Sequence, residues 1–130
     1  MFKKGCDIMD SKEDKSYNLY GMGLESFQHK EFEKSLEYFK QSLKFDEHSR
    51  TYARIYECLI NLGNFKEAIP YIETAYNMNK KQDKVAMLYV AELVKEEKIS
   101  EAIAILEGIL ERNSTYNPAK KLLDKIKNEK

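Results

Sequence analysis

Few residues in this chain have the types and spacing that metal binding requires. The run Asp46-Glu47-His48 combines two carboxylates with an imidazole, a set that can hold a metal ion. Adjacent residues in a turn rarely converge on one ion, however, so we interpret this run as a solvated linker. His29 is interpreted in the same way, as a loop residue. The sequence therefore predicts no metal site.

The two cysteines and the missing catalytic motifs argue against an enzyme. Cys58 follows Arg54 by one helical turn, and a neighbouring cation can lower a thiol pKa. No histidine lies near Cys58 in the sequence to act as a base, so we expect a packing role. Cys6 lies in a polar N-terminal segment, which favours two free thiols over a disulfide framework. The chain also lacks a phosphate loop, a dinucleotide fingerprint and an elbow serine. We predict no catalytic residue and no cofactor.

Composition favours a helical protein with no general affinity for polyanions. Lys plus Arg and Asp plus Glu both number 22, so no net field would attract nucleic acid or an anionic membrane. The chain is 42% hydrophobic and 34% charged, with only 2 Pro and 5 Gly, which suits amphipathic helices. No apolar run is long enough for a signal sequence or a membrane span. We expect one soluble, cytoplasmic domain.

A short pattern recurs along the chain and implies repeated helical hairpins. Its three copies are 31–36, 64–69 and 98–103, which read EFEKSL, NFKEAI and KISEAI. The distance is 33 residues from Phe32 to Phe65 and 34 residues from Phe65 to Ile99. A fixed period of this length indicates stacked helical hairpins that share a continuous core. Apolar residues at helical spacing flank each copy.

The apolar spacing predicts seven helices after a disordered leader at residues 1–11. They begin near Ser11 or Ser16, Phe32, Ser49, Asn64, Asp83, Ile99 and Asn117. Predicted N-caps are Ser11, Ser49, Asn64, Asp83 and Asn117. Gly63 is the expected left-handed stop. Pro70 lies beyond the first turn of the fourth helix, where it removes a hydrogen bond and favours a kink.

The small residues within the repeated pattern carry a resemblance to a known family. Ser35, Ala68 and Ala102 align, and the surrounding columns alternate large apolar and small residues. In this respect the chain resembles tetratricopeptide repeat (TPR) proteins. The resemblance implies an all-α, right-handed α-solenoid of about three helix-turn-helix hairpins, with a C-terminal capping helix. The expected repeats are about 16–48, 49–82 and 83–116, and the cap is about 117–129, all within one domain at 12–130.

The chain departs from the family pattern in two respects. Only the first repeat keeps a glycine in its first helix, at Gly23, so we expect larger side chains between the helices of the other hairpins. Glu47, Lys80 and Ser114 occupy the positions of the family's repeat-ending proline. Pentatricopeptide repeats, which read RNA, fit less well, because they expect a 35-residue period and basic inner faces.

The resemblance also implies a concave groove lined by the first helix of each hairpin. A non-catalytic interaction module would hold a peptide or protein segment there, as a scaffold, adaptor or co-chaperone-like protein. Relatives that grip the C-terminal carboxylate of a chaperone use lysine, asparagine and arginine side chains. Only Lys84 matches that set, so we expect a more apolar partner with some acidic character. The groove residues are predicted to be Tyr17, Tyr20, Leu24, Phe27, Arg50, Ala53, Arg54, Glu57, Lys84, Met87, Leu88, Ala91 and Lys95.

Self-assembly is the alternative hypothesis from the sequence. Three hairpins bury a modest core, and an unfilled apolar surface favours association. A homodimer that pairs exposed hairpin faces would cover such a surface. The sequence does not decide between a groove for a partner and a surface for a second copy.

Overall fold

The computed structural model describes residues 11–129, and these residues form seven α-helices without a strand. The predicted leader lies outside this range, apart from Ser11. The predicted all-α fold of helical hairpins is confirmed. Contacts divide the chain into two compact units, the first ending at Ala75 and the second beginning at Tyr76. The helices are α1 (Lys12–Gln28), α2 (Phe32–Phe45), α3 (Ser49–Asn61), α4 (Phe65–Met78), α5 (Asp83–Lys95), α6 (Ile99–Arg112) and α7 (Asn117–Asn128).

One predicted N-cap is confirmed and three are wrong. The Ser11 side chain accepts a hydrogen bond from the Asp14 backbone N–H at 3.0 Å. Asp83 instead begins α5, and its carboxylate accepts a hydrogen bond from Arg112 at 2.9 Å. The Asp83 carboxylate, which local spacing predicted to cap the helix, therefore binds a residue that is distant in the sequence. Ser49 and Asn117 are likewise the first residues of their helices, and the actual N-cap residues, which make no side-chain cap bond, are His48, Gln82 and Tyr116.

The three hairpin turns share one backbone conformation. Gly63 has φ 82°, as predicted for a left-handed stop, and Lys30 and Glu97 have φ 62° and 61°. At each turn the left-handed residue and its successor donate hydrogen bonds to carbonyls of the preceding helix, as in a Schellman motif. The six bonds run from Lys30 to Phe27, Glu31 to Ser26, Gly63 to Ile60, Asn64 to Leu59, Glu97 to Val94 and Lys98 to Leu93.

The helix α4 continues through Pro70. The proline has no N–H to donate, so the carbonyl of Lys66 loses its usual partner in the helix. Pro70 and Lys66 are both exposed, so water can reach this part of the helix surface. The cost of the proline is thereby reduced, and the residues of α4 on either side of it remain helical.

The first unit is organised by a close crossing of α1 and α2. A Cβ added at Gly23 would lie 2.6 Å from the ring of Phe39, so only glycine fits there without movement. The Ser35 hydroxyl donates to the Gly23 carbonyl at 2.7 Å. Two turns away, the Ser42 hydroxyl donates to the Ser16 carbonyl at 2.7 Å, and the two hydroxyls lie 2.9 Å apart. Buried serines therefore fix how these helices meet.

The second unit has an apolar core to which α7 contributes. The side chains of α5 and α6 supply most of its buried residues, and α7 adds Ala119, Leu123 and Ile126. The remaining surface of α7 is polar, as expected for the predicted capping helix. Arg112 at the end of α6 forms an ion pair with Asp83 at the start of α5. The contributions from α5 and α6 are Ala86, Val90, Leu93, Ala102, Leu106 and Ile109.

Candidate functional site

Two arginines of α3 lie over two aromatic rings of α1 in the first unit. The guanidinium carbon of Arg50 is 5.1 Å from the centroid of the Tyr20 ring. That of Arg54 is 5.6 Å from the centroid of the Phe27 ring. The pairs follow one another in the same order along both helices, so α1 and α3 lie side by side. At these distances a cation is attracted to the aromatic ring.

Both rings are held in place by further aromatic contacts. Tyr20 packs against buried Phe39, with 5.3 Å between ring centroids. Phe27 makes an edge-to-face contact with Phe32 at 5.2 Å. Such contacts restrict the orientation of a ring. The surface between α1 and α3 is therefore preformed, which lowers the ordering cost of binding a ligand.

Glu57 neutralises one of the two arginines. Its carboxylate lies 3.2 Å from the Arg54 guanidinium, one turn along α3. Burial raises the pKa of Glu57, and the attraction of Arg54 offsets this only in part. Burial alone would lower the pKa of Arg54, but hydrogen bonding to Tyr20 and the charge of Glu57 raise it overall. Arg54 stays charged, while Glu57 gains a proton more readily than an exposed glutamate.

Arg50 supplies the uncompensated charge of this surface. Its residue is exposed, and its contact is with the face of the Tyr20 ring. Among residues 11–129 no carboxylate forms an ion pair with it. A guanidinium that lies over a ring still has N–H groups that can donate to a carboxylate. The arrangement therefore suits a ligand that has an apolar group next to an acidic one.

The structure brings together five of the predicted groove residues and describes the others separately. The contacting set is Tyr20, Phe27, Arg50, Arg54 and Glu57. On the first unit Tyr17 is exposed, Leu24 is half-buried and Ala53 is buried, so Ala53 offers little contact area.

In the second unit the predicted residues lie on α5. Met87 packs against the apolar core. Leu88 is half-buried, and Lys84, Ala91 and Lys95 are exposed. The spacing of Lys84, Leu88, Ala91 and Lys95 places them along one side of α5. This side of α5 is therefore a mixed cationic and apolar face. Met87 is not part of it, because its side chain packs against the core.

Supporting residues of the site were missed by the sequence reasoning. Phe32 and Phe39 of α2 were not among the predicted groove residues, yet they contact the Phe27 and Tyr20 rings. Asn61 donates from its side chain to the Glu57 carbonyl at 2.8 Å, at the end of α3. The four-residue spacing of Glu57 and Asn61 was the available signal for this last contact.

The polar run before α3 does not converge on a common point. His48 lies 3.0 Å from the Asp46 carboxylate, whereas Glu47 accepts a hydrogen bond from the Tyr52 hydroxyl at 2.8 Å. Burial and the interaction with Glu47 raise the pKa of Tyr52 to about 12. In residues 11–129 no group of three or more His, Cys, Asp or Glu side chains is placed to hold a metal ion.

Cys58 is buried within the first unit. Its thiol donates to the Ser35 hydroxyl at 3.5 Å. Burial raises the pKa of the Cys58 thiol, so the thiol stays protonated at neutral pH and is a poor nucleophile. Cys6 lies outside the described residues. Within them, no helix has the length and apolar character needed to cross a bilayer.

Comparison with known proteins places the chain among helical-repeat proteins. The sequence model of the tetratricopeptide repeat protein 21 ARM repeat matches residues 9–129. No curated protein sequence matches the chain.

Two solved TPR domains share the fold along nearly their whole length. The Arabidopsis OM64 TPR domain superposes with a TM-score of 0.79 at 16% identity, over 92% of this chain and 100% of that one. The first TPR of Spaghetti (RPAP3), bound to the HSP90 peptide SRMEEVD, gives 0.80 at 18% identity, over 93% and 97%. At these identities the likeness shows the fold alone.

A bacterial chaperone gives a similar result. The Yersinia enterocolitica type III secretion chaperone SycD, in complex with a peptide of the translocator YopD, superposes with a TM-score of 0.74 at 18% identity. The match covers 87% of this chain and 92% of that one. The same fold therefore occurs in proteins whose structures contain a bound peptide.

Proposed function

Because the chain belongs to the tetratricopeptide repeat protein 21 ARM repeat family and has a TPR-type fold, we propose that it is a non-catalytic adaptor that binds a peptide segment of a partner protein. The observation that carries this proposal is the pair of arginine–aromatic contacts between α1 and α3. Two relatives of the same fold were solved with bound peptides, which supports the proposal. A cytoplasmic location, with Cys58 as a free buried thiol, belongs to the same proposal.

The preferred ligand would place an apolar side chain near Tyr20 and Phe27 and a carboxylate near Arg50. The aromatic rings supply contact area at low entropic cost, since each is already held by a neighbouring ring. Arg50 supplies the charge that Glu57 does not cancel. On the second unit taken by itself, the predicted α5 residues are proposed as a further contact surface, where Lys84 is a cation and Lys95 is paired with Glu92 at 3.7 Å. An adaptor of this kind acts as a scaffold through binding alone.

The first test measures how binding depends on Arg50. Peptides selected from an unbiased display library would be titrated calorimetrically against the full chain. We expect Arg50→Ala to weaken binding at least tenfold, since it removes both the charge and a ring contact. Arg50→Lys should retain part of the affinity, and Lys66→Ala, an exposed cation on α4, should change it less than twofold. Equal affinity of the wild type and Arg50→Ala would refute the proposed site.

The second test concerns Glu57 and pH. Since burial raises the pKa of Glu57, mild acid protonates it and releases Arg54 for an acidic ligand. Binding of an acidic peptide should therefore tighten several-fold in the wild type as the pH falls from neutral towards the Glu57 pKa. Glu57→Gln should already bind tightly at neutral pH and lose this dependence. An affinity ratio between the two proteins that stays constant with pH would contradict the assignment.

The contribution of Glu57 to folding stability depends on pH in the opposite sense to that of an ordinary ion-paired carboxyl group. A raised folded-state pKa means that the folded chain holds the Glu57 proton more tightly than the unfolded chain. This contribution to stability is fully present below the unfolded pKa and is lost as the pH rises through the folded pKa. Urea unfolding of the wild type and Glu57→Gln across this range separates the effect on stability from the effect on binding.

A further inference from the structure

The outer side of α1 carries an exposed stripe that the proposed peptide site does not use. Lys15, Asn18, Met22 and Glu25 recur at spacings of three or four residues, so they lie along one side of the helix. Tyr20 and Phe27 face a different side. Met22 is 45% exposed, and at the end of α2 Phe45 is 37% exposed. An apolar surface is therefore open next to a polar stripe.

Two adjoining depressions meet at Met22. The first is lined by Lys15, Asn18, Leu19, Met22 and Phe45. The second runs from Met22 past Glu25 towards Tyr38 of α2, with His29, Glu31 and Lys34 at its edge. Both lie on the surface of the hairpin of α1 and α2, and Met22 contributes to each. We call this surface the α1 outer face.

The α1 outer face has opposite charges at its two ends. Lys15 lies towards the N-terminus of α1, with its ammonium 5.6 Å from the centroid of the Phe45 ring. Glu25 lies towards the C-terminus of the helix. Within residues 11–129 neither side chain forms an ion pair. Each charge also has the sign that the helix dipole disfavours at its position.

We propose that a second copy of this chain covers the α1 outer face, with the two α1 helices antiparallel about a two-fold axis level with Tyr20. Position 20 is midway between Lys15 and Glu25. The axis therefore places Lys15 opposite Glu25 of the partner subunit, and by symmetry the converse pair forms as well. The same operation brings Met22 near Asn18 of the partner subunit and covers the exposed apolar side chains.

Self-complementarity is the reason for choosing a second copy as the occupant. An isologous interface requires a surface that matches itself after a two-fold rotation. A stripe with a base at one end, an acid at the other and apolar side chains between them meets this requirement. Burial of Met22 and Phe45 would favour association, and the paired charges would fix the register. The peptide site on the other side of α1 would stay accessible.

A charge-exchange experiment tests the pairing directly. Sedimentation velocity of the full chain over a range of concentrations gives the dimer dissociation constant. We expect Lys15→Glu and Glu25→Lys each to weaken the dimer about tenfold, since each places like charges opposite one another. The double variant should restore the wild-type constant to within roughly threefold. The substitutions favour the helix dipole, so loss of dimer will not reflect loss of folding.

A second pair of variants distinguishes a specific interface at the α1 outer face from non-specific hydrophobic association. Met22→Glu should abolish the dimer, whereas Met78→Glu should leave it unchanged, although both methionines are 45% exposed. A dimer that survives Met22→Glu would overturn the proposal, as would a double charge variant no stronger than the single ones. A strict monomer at all concentrations would also overturn it, whether the face stays open or residues 1–10 cover it.

Discussion

The first and third hairpins contain the same kind of helix crossing, but different types of side chain form the two interfaces. In the first, Gly23 faces Phe39 and buried serines hydrogen-bond across the interface. In the third, the residues 67 positions later are Val90 and Leu106, and the interface is apolar. A glycine with a large ring and a valine with a leucine are two ways of filling one space. From this comparison we predict that the side chains must fill the space at the crossing, whereas either hydrogen bonds or apolar packing can hold the two helices together.

The largest expected effect comes from filling the space at Gly23. Gly23→Ala places a methyl group within 3 Å of the Phe39 ring, so it should lower the free energy of unfolding by about 1–3 kcal/mol. Gly21→Ala is the matched control, because nothing lies within 4 Å of its added Cβ. This control should raise stability by up to about 1 kcal/mol through helix propensity. Urea unfolding measures both.

The compensating change tests whether volume is conserved at the crossing. Combining Gly23→Ala with Phe39→Leu brings the first hairpin towards the Val90 and Leu106 pair of the third. We expect the double variant to recover part of the loss caused by Gly23→Ala. If the two substitutions destabilise the chain additively, the volume argument for the comparison is wrong.

A smaller effect is expected when the serine contacts are removed. Ser42→Ala deletes the hydrogen bond to the Ser16 carbonyl and should cost about 1 kcal/mol. Adding Ser16→Ala makes this part of the interface apolar, as in the third hairpin, so the double variant should cost less than the sum of the single ones. Ser100→Ala, at an exposed position on α6, is the control.

Thermal unfolding of all four variants completes the double-mutant cycle. A coupling energy near zero between Ser16 and Ser42 would mean that the hydroxyls act independently. The first hairpin would then differ from the third in composition but not in the way its helices are held together.

The smallest effects are expected at the hairpin turns. The first and third hairpins lack the glycine that the second hairpin has at the left-handed position. Lys30→Gly and Glu97→Gly should each stabilise the chain by up to about 1 kcal/mol, because these residues have positive φ. Gly63→Ala, at the corresponding turn, should destabilise it by about the same amount. Differential scanning calorimetry checks the signs. Destabilisation by both glycine substitutions would show that the lysine and glutamate side chains outweigh the backbone strain.

Sequence periodicity was sufficient for most of the fold. The predicted helix starts at Phe32 and Ile99 are the observed first residues of α2 and α6. Caps were less predictable, because a capping oxygen can bind elsewhere: Asp83 pairs with Arg112, 29 residues away in the chain. The left-handed residues Lys30 and Glu97 carry no local signal.

The candidate site was accessible to the same reasoning only in part. Tyr20, Phe27, Arg50, Arg54 and Glu57 were predicted because the family resemblance implies a groove lined by the first helix of each hairpin. The contacts of Arg50 and Arg54 with aromatic rings depend on how close α1 and α3 lie, which no local pattern encodes. The hydrogen bonds between Ser16 and Ser42 were not predicted either, because they depend on how closely α1 and α2 approach each other.

The most direct test of the proposed function is to map where a selected peptide binds. Amide chemical shifts of the full chain would be followed by ¹H–¹⁵N NMR during titration with a peptide from the unbiased library. The account predicts that the largest changes fall on α1 and α3, around Tyr20, Phe27 and Arg50, and that they disappear in Arg50→Ala at the same concentrations. Changes confined to other helices, or an unaltered response in Arg50→Ala, would contradict it.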